Sequence, residues 1–258
     1  MEKIFLAVGM LMCAGMVHAS KQKNVLFILV DDMQKTCINA YGNPEVVSPN
    51  IDKLVNSGIT FSHTYTNGAL CGALSMPSRA MIMTGRGVYQ ISKDGAVIPQ
   101  SQVTLPELLR QNGYETFGTG KWHADKKSFN RSFEKGDNIF FGGMHSYEKG
   151  GHTAPRLHHY DANGNYKKPF IGDKFSSEMF ADAAVDFLKN RKKNKPFFAF
   201  VAFTSPHDTR INHPEYGHKY GPDTLDLPVN FMPSHPFDNG ELLIRDEVLL
   251  PCLLYTSP

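Results

Sequence analysis

The stretch NVLFILVDD at residues 24–32 decides the fold class of this 258-residue chain. After Asn24, an apolar run rich in β-branched residues ends abruptly at Asp31 and Asp32. A run without polar alternation predicts a strand buried on both faces, in the centre of a parallel or mixed sheet. The two carboxylates then lie at the carboxyl end of that strand, where open α/β sheets bind ligands.

Helix and strand patterns alternate along the rest of the chain. Helices are predicted at 48–58, from Ser75, at 104–113 and at 176–193, and strands at 59–65, 114–123 and 196–203. The polar, Gly- and His-rich residues 124–172 are predicted to form loops with a short hairpin. This order predicts one α/β unit, with a central, mostly parallel mixed sheet flanked by helices.

The two ends of the chain carry separate signals. Residues 1–19 combine a short polar start, an apolar run and the small-residue site VHA, which predicts a secretory signal peptide cleaved near Ala19. We therefore expect an exported protein, periplasmic or secreted, without a membrane span. The final string CLLYTSP, residues 252–258, fits translation of a transposon-end sequencing adaptor, so we expect a non-native tail. Residues 20–251 are then expected to be the N-terminal part of a C-terminally truncated catalytic domain.

Charge and cysteine content exclude several classes of partner. The chain has 27 Lys and Arg residues against 25 Asp and Glu residues, so it lacks the basic excess of a nucleic-acid-binding protein. Of the four cysteines, only Cys37 and Cys71 lie between the predicted signal peptide and the predicted tail. Whether these two form a disulfide is left open by the sequence.

Four polar clusters follow or precede apolar segments and carry the chemical information. They are Asp31-Asp32, Ser75-x-Pro77-Ser78-Arg79, Lys121-Trp122-His123 and His207-Asp208. Adjacent aspartates suit Ca²⁺ or Mg²⁺, because both cations prefer hard oxygen donors. Ser75 at a helix N-terminus would lie in a field that favours anions, and histidines are the usual general acids and bases. Together the clusters predict hydrolysis of a tetrahedral oxyanion ester, either a sulfate or a phosphate.

Each cluster also has a plain structural interpretation. The aspartates alone fit a solvated strand end, and Ser75 alone fits a helix N-cap. Lys121 and His123 could belong to an ordinary loop. The remaining histidines are expected to lie in loops or at the surface: His145, His152, His158, His159, His213, His218 and His235.

Taken together and in order, the motifs resemble those of the type I sulfatases. SMPSRAMIMTGR at residues 75–86 is similar to the family signature, which is C or S, then x-P-S-R, a short apolar stretch and T-G-R. NVLFILVDD, GKWH and SPHD resemble further family segments in the same order, so the likeness runs from Asn24 to Asp208. The resemblance implies an alkaline-phosphatase-like fold and hydrolysis of sulfate esters, on a sulfated carbohydrate or a small organic sulfate.

The resemblance also implies a modified residue. In the family the signature Cys or Ser is oxidised to Cα-formylglycine, whose hydrated aldehyde attacks sulfur and later releases sulfate. Because the residue here is Ser75, the chain resembles the serine-type branch, which is matured by a radical-SAM enzyme.

Site roles follow from the same resemblance. Asp31, Asp32 and the modified Ser75 would bind Ca²⁺, with Mg²⁺ as the alternative, and Arg79 would orient the formylglycine hydrate. Lys121 would bind the sulfate group.

Three more residues complete the implied site. His123 would help to remove the proton that triggers sulfate release. His207 would bind sulfate or assist the leaving group, and Asp208 would contact the substrate.

One family feature is not found in this sequence. A second metal-binding pair, Asp-Asn or Asp-His before Gly, should follow another buried strand. Asp238-Asn239 in FDNG imitates it, but two prolines in the preceding NFMPSHP argue against a central strand. We predict a turn there and expect the distal ligands beyond the truncation. A phosphomonoester or phosphonate ester hydrolase, a sulfated-glycan-binding protein and an inactive fragment remain alternatives.

Overall fold

The computed structural model describes residues 22–70, 74–92, 94–221 and 225–227. Four sequence-based predictions lie outside these residues: the signal peptide at 1–19, the pairing of Cys37 with Cys71, the turn at Asp238-Asn239 and the tail at 252–258. Cys37 itself is exposed. In the described part of the chain, the helices are all too short or too polar to cross a membrane.

The described residues form an α/β unit, as the alternation of patterns predicts. The strands are β1 (Val25–Asp31), β2 (Glu115–Lys121), β3 (Lys135–Phe140), β4 (Arg156–Leu157), β5 (Phe170–Ile171) and β6 (Phe197–Pro206). The helices are α1 (Pro49–Ser57), α2 (Ser75–Thr84), α3 (Leu105–Gln111), α4 (Lys126–Ser132) and α5 (Ser176–Asn190).

The main sheet has four strands in the order β1-β6-β2-β3, and all three pairings are parallel. Antiparallel pairing occurs in the separate β4-β5 ladder and in an isolated bridge between Ile139 and His158. Within the described residues β1 is an edge strand, with Leu26 and Ile28 each 48% exposed, whereas the sequence predicts a central strand. The central strand is β6, because β1 and β2 flank it on both sides.

Alternate side chains of β6 build the two halves of the core. Phe198 and Phe200 pack on one face, in a cluster that includes Trp122 and residues of α2 and α4. Ala199 and Val201 pack on the other face against α5. Because side chains alternate along a strand, one strand serves both apolar layers, and the sheet is sandwiched between helices.

Local sequence signals place some elements correctly and miss others. α3 begins with the predicted capping box, in which the Thr104 hydroxyl and the Glu107 carboxylate each accept a backbone N–H bond. Residues 59–65 were predicted as a strand, but this segment has no ladder partner among the described residues. Residues 124–172 contain the predicted hairpin, β4-β5. They also contain α4 and β3, for which the loop prediction is wrong.

Gly120 controls how closely β2 approaches β6 one residue before Lys121. Its φ angle is +83°, and a Cβ added there would overlap the carbonyl oxygen of Ala202 in β6. The register between β2 and β3 also shifts between Gly118 and Gly120. Only glycine combines this backbone angle with so close an approach, so Gly120 sets the position of the end of β2.

We predict that Gly120→Ala destabilises the fold by at least about 3 kcal/mol, because the clash is with backbone and adds to the strain of a positive φ. Gly113→Ala is the matched control: its φ is +86°, but no atom lies within 4 Å of the added Cβ. We expect it to cost only about 1 kcal/mol. Urea unfolding of both variants measures the difference, and equal losses would contradict the steric argument.

Candidate functional site

The carboxyl ends of three neighbouring strands bring the predicted site residues to one edge of the sheet. Asp31 is the last residue of β1 and Lys121 is the last residue of β2. His207 directly follows β6, which lies between them. The N-terminus of α2, with Ser75, faces the same edge, since Ser75 contacts the Lys121 side chain. The structure therefore brings all four predicted clusters together.

Asp31 lies between two buried cations. The Lys121 ammonium donates to Asp31 Oδ2 at 2.5 Å, and Arg79 Nη2 lies 3.3 Å from Asp31 Oδ1. Lys121 is fully buried, and Arg79 and Asp31 are 3% and 4% exposed. Burial lowers the pKa of Lys121 and of Arg79, while the Asp31 carboxylate opposes the shift in both. Arg79 also donates to the Lys121 carbonyl at 2.5 Å, which ties α2 to the end of β2.

Ser75 is the first residue of α2 and Leu74 is the N-cap residue, so the interpretation of Ser75 as the N-cap is wrong. Ser75 Oγ lies 3.1 Å from His123 Nδ1 and 3.3 Å from Lys121 Nζ. An ammonium group can only donate, so Ser75 Oγ accepts from Lys121, while the direction of its hydrogen bond with His123 depends on the His123 tautomer. The hydroxyl is therefore held between a cation and an imidazole ring.

His123 is suited to accept a proton. Its pKa is lowered to about 4, first by burial and then by the positive charges of Lys121 and Arg79. The ring is therefore neutral at neutral pH, and its Nδ1 faces the Ser75 hydroxyl. Its φ angle of +58° is uncommon for a residue with a side chain, which is typical of functional positions.

His207, Asp32 and Asp208 border an open cleft of about 540 Å³ beside this cluster. His207 Nε2 lies 3.6 Å from Asp32 Oδ2, and the Asp32 side chain is 62% exposed. Asp208 pairs with the exposed Arg210 at 3.0 Å. These residues can meet a ligand that enters from solvent, whereas Lys121 and Arg79 lie beneath it.

The predicted metal ligands supply part of a calcium donor set. Asp31 and Asp32 place hard carboxylate oxygens at the end of β1, and Ser75 adds an oxygen close to them. Ca²⁺ takes six to eight oxygen ligands, more than these three residues provide. Among the described residues, no three His, Cys, Asp or Glu side chains group together as a metal site. The residues present supply oxygen donors of the type that Ca²⁺ binds, but fewer of them than it takes.

Two histidines that the sequence analysis left in loops are buried. His145 lies outside the helices and strands and is 4% exposed, and His152 lies in a short 3-10 turn and is 1% exposed. His152 Nδ1 contacts Ser176 Oγ at 2.9 Å, and Thr204 Oγ1 donates to the same hydroxyl at 3.3 Å. The sequence analysis missed this polar group. The signal that could have revealed it is the pair Gly150-Gly151, which allows the backbone to approach its neighbours closely.

The other histidines are more exposed. His159 is exposed and pairs with Asp137. His158 is half-buried because its backbone bridges to Ile139, and His213 is half-buried against Glu178. His218 is exposed, as predicted, and His235 lies outside the described residues.

Comparison with known proteins gives one consistent family. Residues 23–226 match the family model described as Sulfatase. The chain is 28% identical over 225 residues to N-acetylglucosamine-6-O-sulfatase of Bacteroides thetaiotaomicron, covering 81% of this chain and 35% of that protein. It is 29% identical over 234 residues to arylsulfatase of Klebsiella aerogenes, covering 80% of this chain and 48% of that one. The chain thus spans between a third and a half of the length of these relatives.

A solved structure confirms the alkaline-phosphatase-like fold. It is a protein in complex with its substrate D-glucosamine-2-N,6-O-disulfate, with a TM-score of 0.61 and 28% sequence identity. The match covers 76% of this chain and 37% of the other.

We predict strong coupling between Asp31 and Lys121, because removing either partner leaves a buried charge uncompensated. Lys121→Met and Asp31→Asn should each cost about 3 to 5 kcal/mol of unfolding free energy. The double variant should cost about 1 to 3 kcal/mol less than the sum. Urea unfolding with a chelator present, so that only protein groups are compared, measures this double-mutant cycle. Additive losses would show that the ion pair is energetically unimportant.

We predict that His145 makes the protein acid-sensitive. Burial, followed by the charges of His152 and Lys121, lowers its pKa in the folded state from 6.5 to about 3. Between these pH values the unfolded state binds the extra proton, so stability falls as the pH falls, by up to about 1.4 kcal/mol per unit. His145→Phe should flatten the decline and keep the ring contact with Phe140.

The control for this prediction is His159→Phe, which changes an exposed histidine that also contacts a phenylalanine ring, that of Phe170. Urea unfolding between pH 7 and pH 4 compares the two variants with the wild type. If His145→Phe left the slope of unfolding free energy against pH unchanged, His145 would be ruled out as the source of the acid sensitivity.

Proposed function

The chain belongs to the sulfatase family, and we propose that the protein hydrolyses sulfate esters carried on sugars. The observation that carries the proposal is the position of the Ser75 hydroxyl. It lies at the first residue of α2, 3.3 Å from Lys121 Nζ and 3.1 Å from His123 Nδ1. A nucleophile precursor, a cation and a neutral base thus meet at one oxygen.

The same place suits a bound sulfate group. The N-terminus of the ten-residue helix α2 carries partial positive charge, and Lys121 adds a full charge. Arg79 pairs with Asp31 and donates a hydrogen bond to the Lys121 carbonyl, and the latter contact fixes the end of β2. Fixed positive groups in a buried site stabilise charge that develops on sulfate oxygens without having to reorganise.

Ser75 is proposed to be the residue that is oxidised to Cα-formylglycine by a radical-SAM maturation enzyme. The modified side chain would supply a hydrated aldehyde, which both attacks sulfur and allows sulfate to leave. His123 Nδ1 is positioned to take a proton from the oxygen at this position, and the lowered pKa keeps the ring ready to accept it. Lys121 holds that oxygen from the other side.

A calcium ion is proposed at the end of β1, held by Asp31, Asp32 and the oxygen at position 75, with Mg²⁺ as the alternative. The ion would supply Lewis-acid polarisation of a sulfate oxygen. Asp31 already pairs with Lys121 and Arg79, so the same carboxylate would interact with these two cations and with the proposed metal ion.

The cleft beside His207 is proposed to receive the sugar. His207 would bind sulfate or assist the leaving oxygen, and Asp208 would contact sugar hydroxyl groups. The relatives are named for N-acetylglucosamine-6-sulfate and for arylsulfates, and the solved neighbour holds a sulfated glucosamine. We therefore propose a sulfated amino sugar as substrate. The signal-peptide pattern of residues 1–19 supports export to the periplasm or beyond.

We predict that protein expressed from its complete gene, together with a radical-SAM maturation enzyme, hydrolyses 4-nitrophenyl sulfate and 6-O-sulfated glucosamine. Mass spectrometry of the Ser75 peptide should show the loss of two hydrogen atoms. Ser75→Ala should lower kcat at least about 10³-fold, because the nucleophile is lost. Ser57→Ala, at the end of α1, is the control and should keep full activity.

The same assay distinguishes the alternatives. Faster hydrolysis of 4-nitrophenyl phosphate than of the sulfate would identify a phosphoester hydrolase on the same site. Binding of sulfated sugar without turnover, with Ser75 unmodified, would identify a binding protein.

A further inference from the structure

His152 occupies a buried position next to the loop that carries His207. It lies in a short 3-10 turn, Gly151–Thr153, and is 1% exposed. Its Nε2 lies 3.0 Å from the backbone carbonyl oxygen of His207. Its Nδ1 lies 2.9 Å from Ser176 Oγ, at the first residue of α5.

These contacts fix the tautomer of His152. A carbonyl oxygen can only accept, so the proton is on Nε2 and is donated to His207. Nδ1 must then accept, and the Ser176 hydroxyl is the donor. Thr204 donates in turn to Ser176 at 3.3 Å. Burial lowers the pKa of the His152 ring, which favours the neutral form that this arrangement requires.

A second contact joins the same two segments. Gly151 has a φ angle of +54°, and a Cβ added there would lie 2.5 Å from both Thr209 Oγ1 and Ile211 Cδ1. The backbone at 150–152 therefore packs directly against residues 209–211. Hydrogen bonding at His207 and close packing at Ile211 hold the loop at two points.

The loop needs this support, because it directs a side chain into the cleft. Within the loop, the His207 N–H donates to the Thr204 carbonyl, and the His207 Nδ1 lies 3.1 Å from the Asp208 carbonyl oxygen. Its ring points to Asp32, with 3.6 Å between Nε2 and Oδ2. A loop displaced by about 1 Å would move this ring away from any group bound at Asp32 and Ser75.

We infer that His152 is a positioning residue, which holds the His207 backbone so that the His207 ring faces Asp32. The inference rests on the proposed function for the chemical role of His207, but the hydrogen bond itself can be tested separately. Removing residues that orient a functional group in this way commonly costs 10- to 100-fold in activity.

Two substitutions separate the hydrogen bond from packing. His152→Phe keeps a ring beside Phe175 and His145 but removes the donor to His207. His152→Gln keeps a side-chain N–H donor at about the same distance from the backbone. His159→Phe is the control, because it changes an exposed histidine on the same stretch of chain.

Amide hydrogen exchange measured by mass spectrometry is the first readout. In His152→Phe, exchange at residues 205–211 should rise about tenfold while β2 and β6 stay protected. His152→Gln and His159→Phe should exchange as the wild type does. Unchanged exchange at 205–211 in His152→Phe overturns the inference, and so does an equal rise across the whole chain, which would indicate a general loss of stability.

Kinetics with 4-nitrophenyl sulfate are the second readout, on matured protein from the complete gene. In His152→Phe, kcat should fall about 10- to 100-fold with little change in KM, and His152→Gln should restore most of it. If the exchange pattern appears but the wild type hydrolyses no sulfate ester, the His152–His207 hydrogen bond stands and the proposed function fails. If the wild type is active and His152→Phe keeps its kcat, the positioning role is wrong.

Discussion

The buried pairing of Asp31 with Lys121 is the interaction on which the rest of the site depends. A carboxylate at the end of β1 and an ammonium at the end of β2 are both removed from water, and each compensates the other. Because β6 lies between these strands, the pair spans the central strand of the described sheet and fixes the two strand ends relative to each other. Arg79, which lies in α2, pairs with Asp31 and donates to the Lys121 carbonyl. These contacts attach the helix that carries Ser75 to the ends of β1 and β2.

This arrangement explains why buried cations and a neutral histidine lie so close together. The charges of Lys121 and Arg79 disfavour a proton on His123, and burial disfavours it further. Burial lowers the pKa of both cations, and the Asp31 carboxylate opposes this shift. The Asp31 carboxylate thus pairs with two buried cations, while the neutral His123 ring beside them can accept a proton.

Much of this site could be predicted from the sequence, because its residues directly follow strands or begin a helix. The apolar run before Asp31 predicts a strand, and the carboxyl ends of parallel strands meet at one edge of a sheet. The position of Asp31 at that edge therefore follows from the sequence. The edge position of β1 was not predictable in this way, because the pairing of strands depends on residues far away in the sequence. An apolar run indicates a strand but not which strands lie beside it. α4 and β3 were missed because the polar, Gly-rich letters of 124–172 weaken both periodicities. The burial of His145 and His152 was missed for a related reason. His145 packs against Phe140 and His152, and His152 contacts α5 and β6, whereas glycine-rich flanks suggest exposure.

The hydrogen bond from His152 to the His207 carbonyl has a consequence for divergence among related enzymes. It holds main chain, so it places few demands on the side chains of the loop around it. Residues such as Asp208 and Arg210, which border the cleft, can therefore be exchanged over generations while the His207 ring keeps its place.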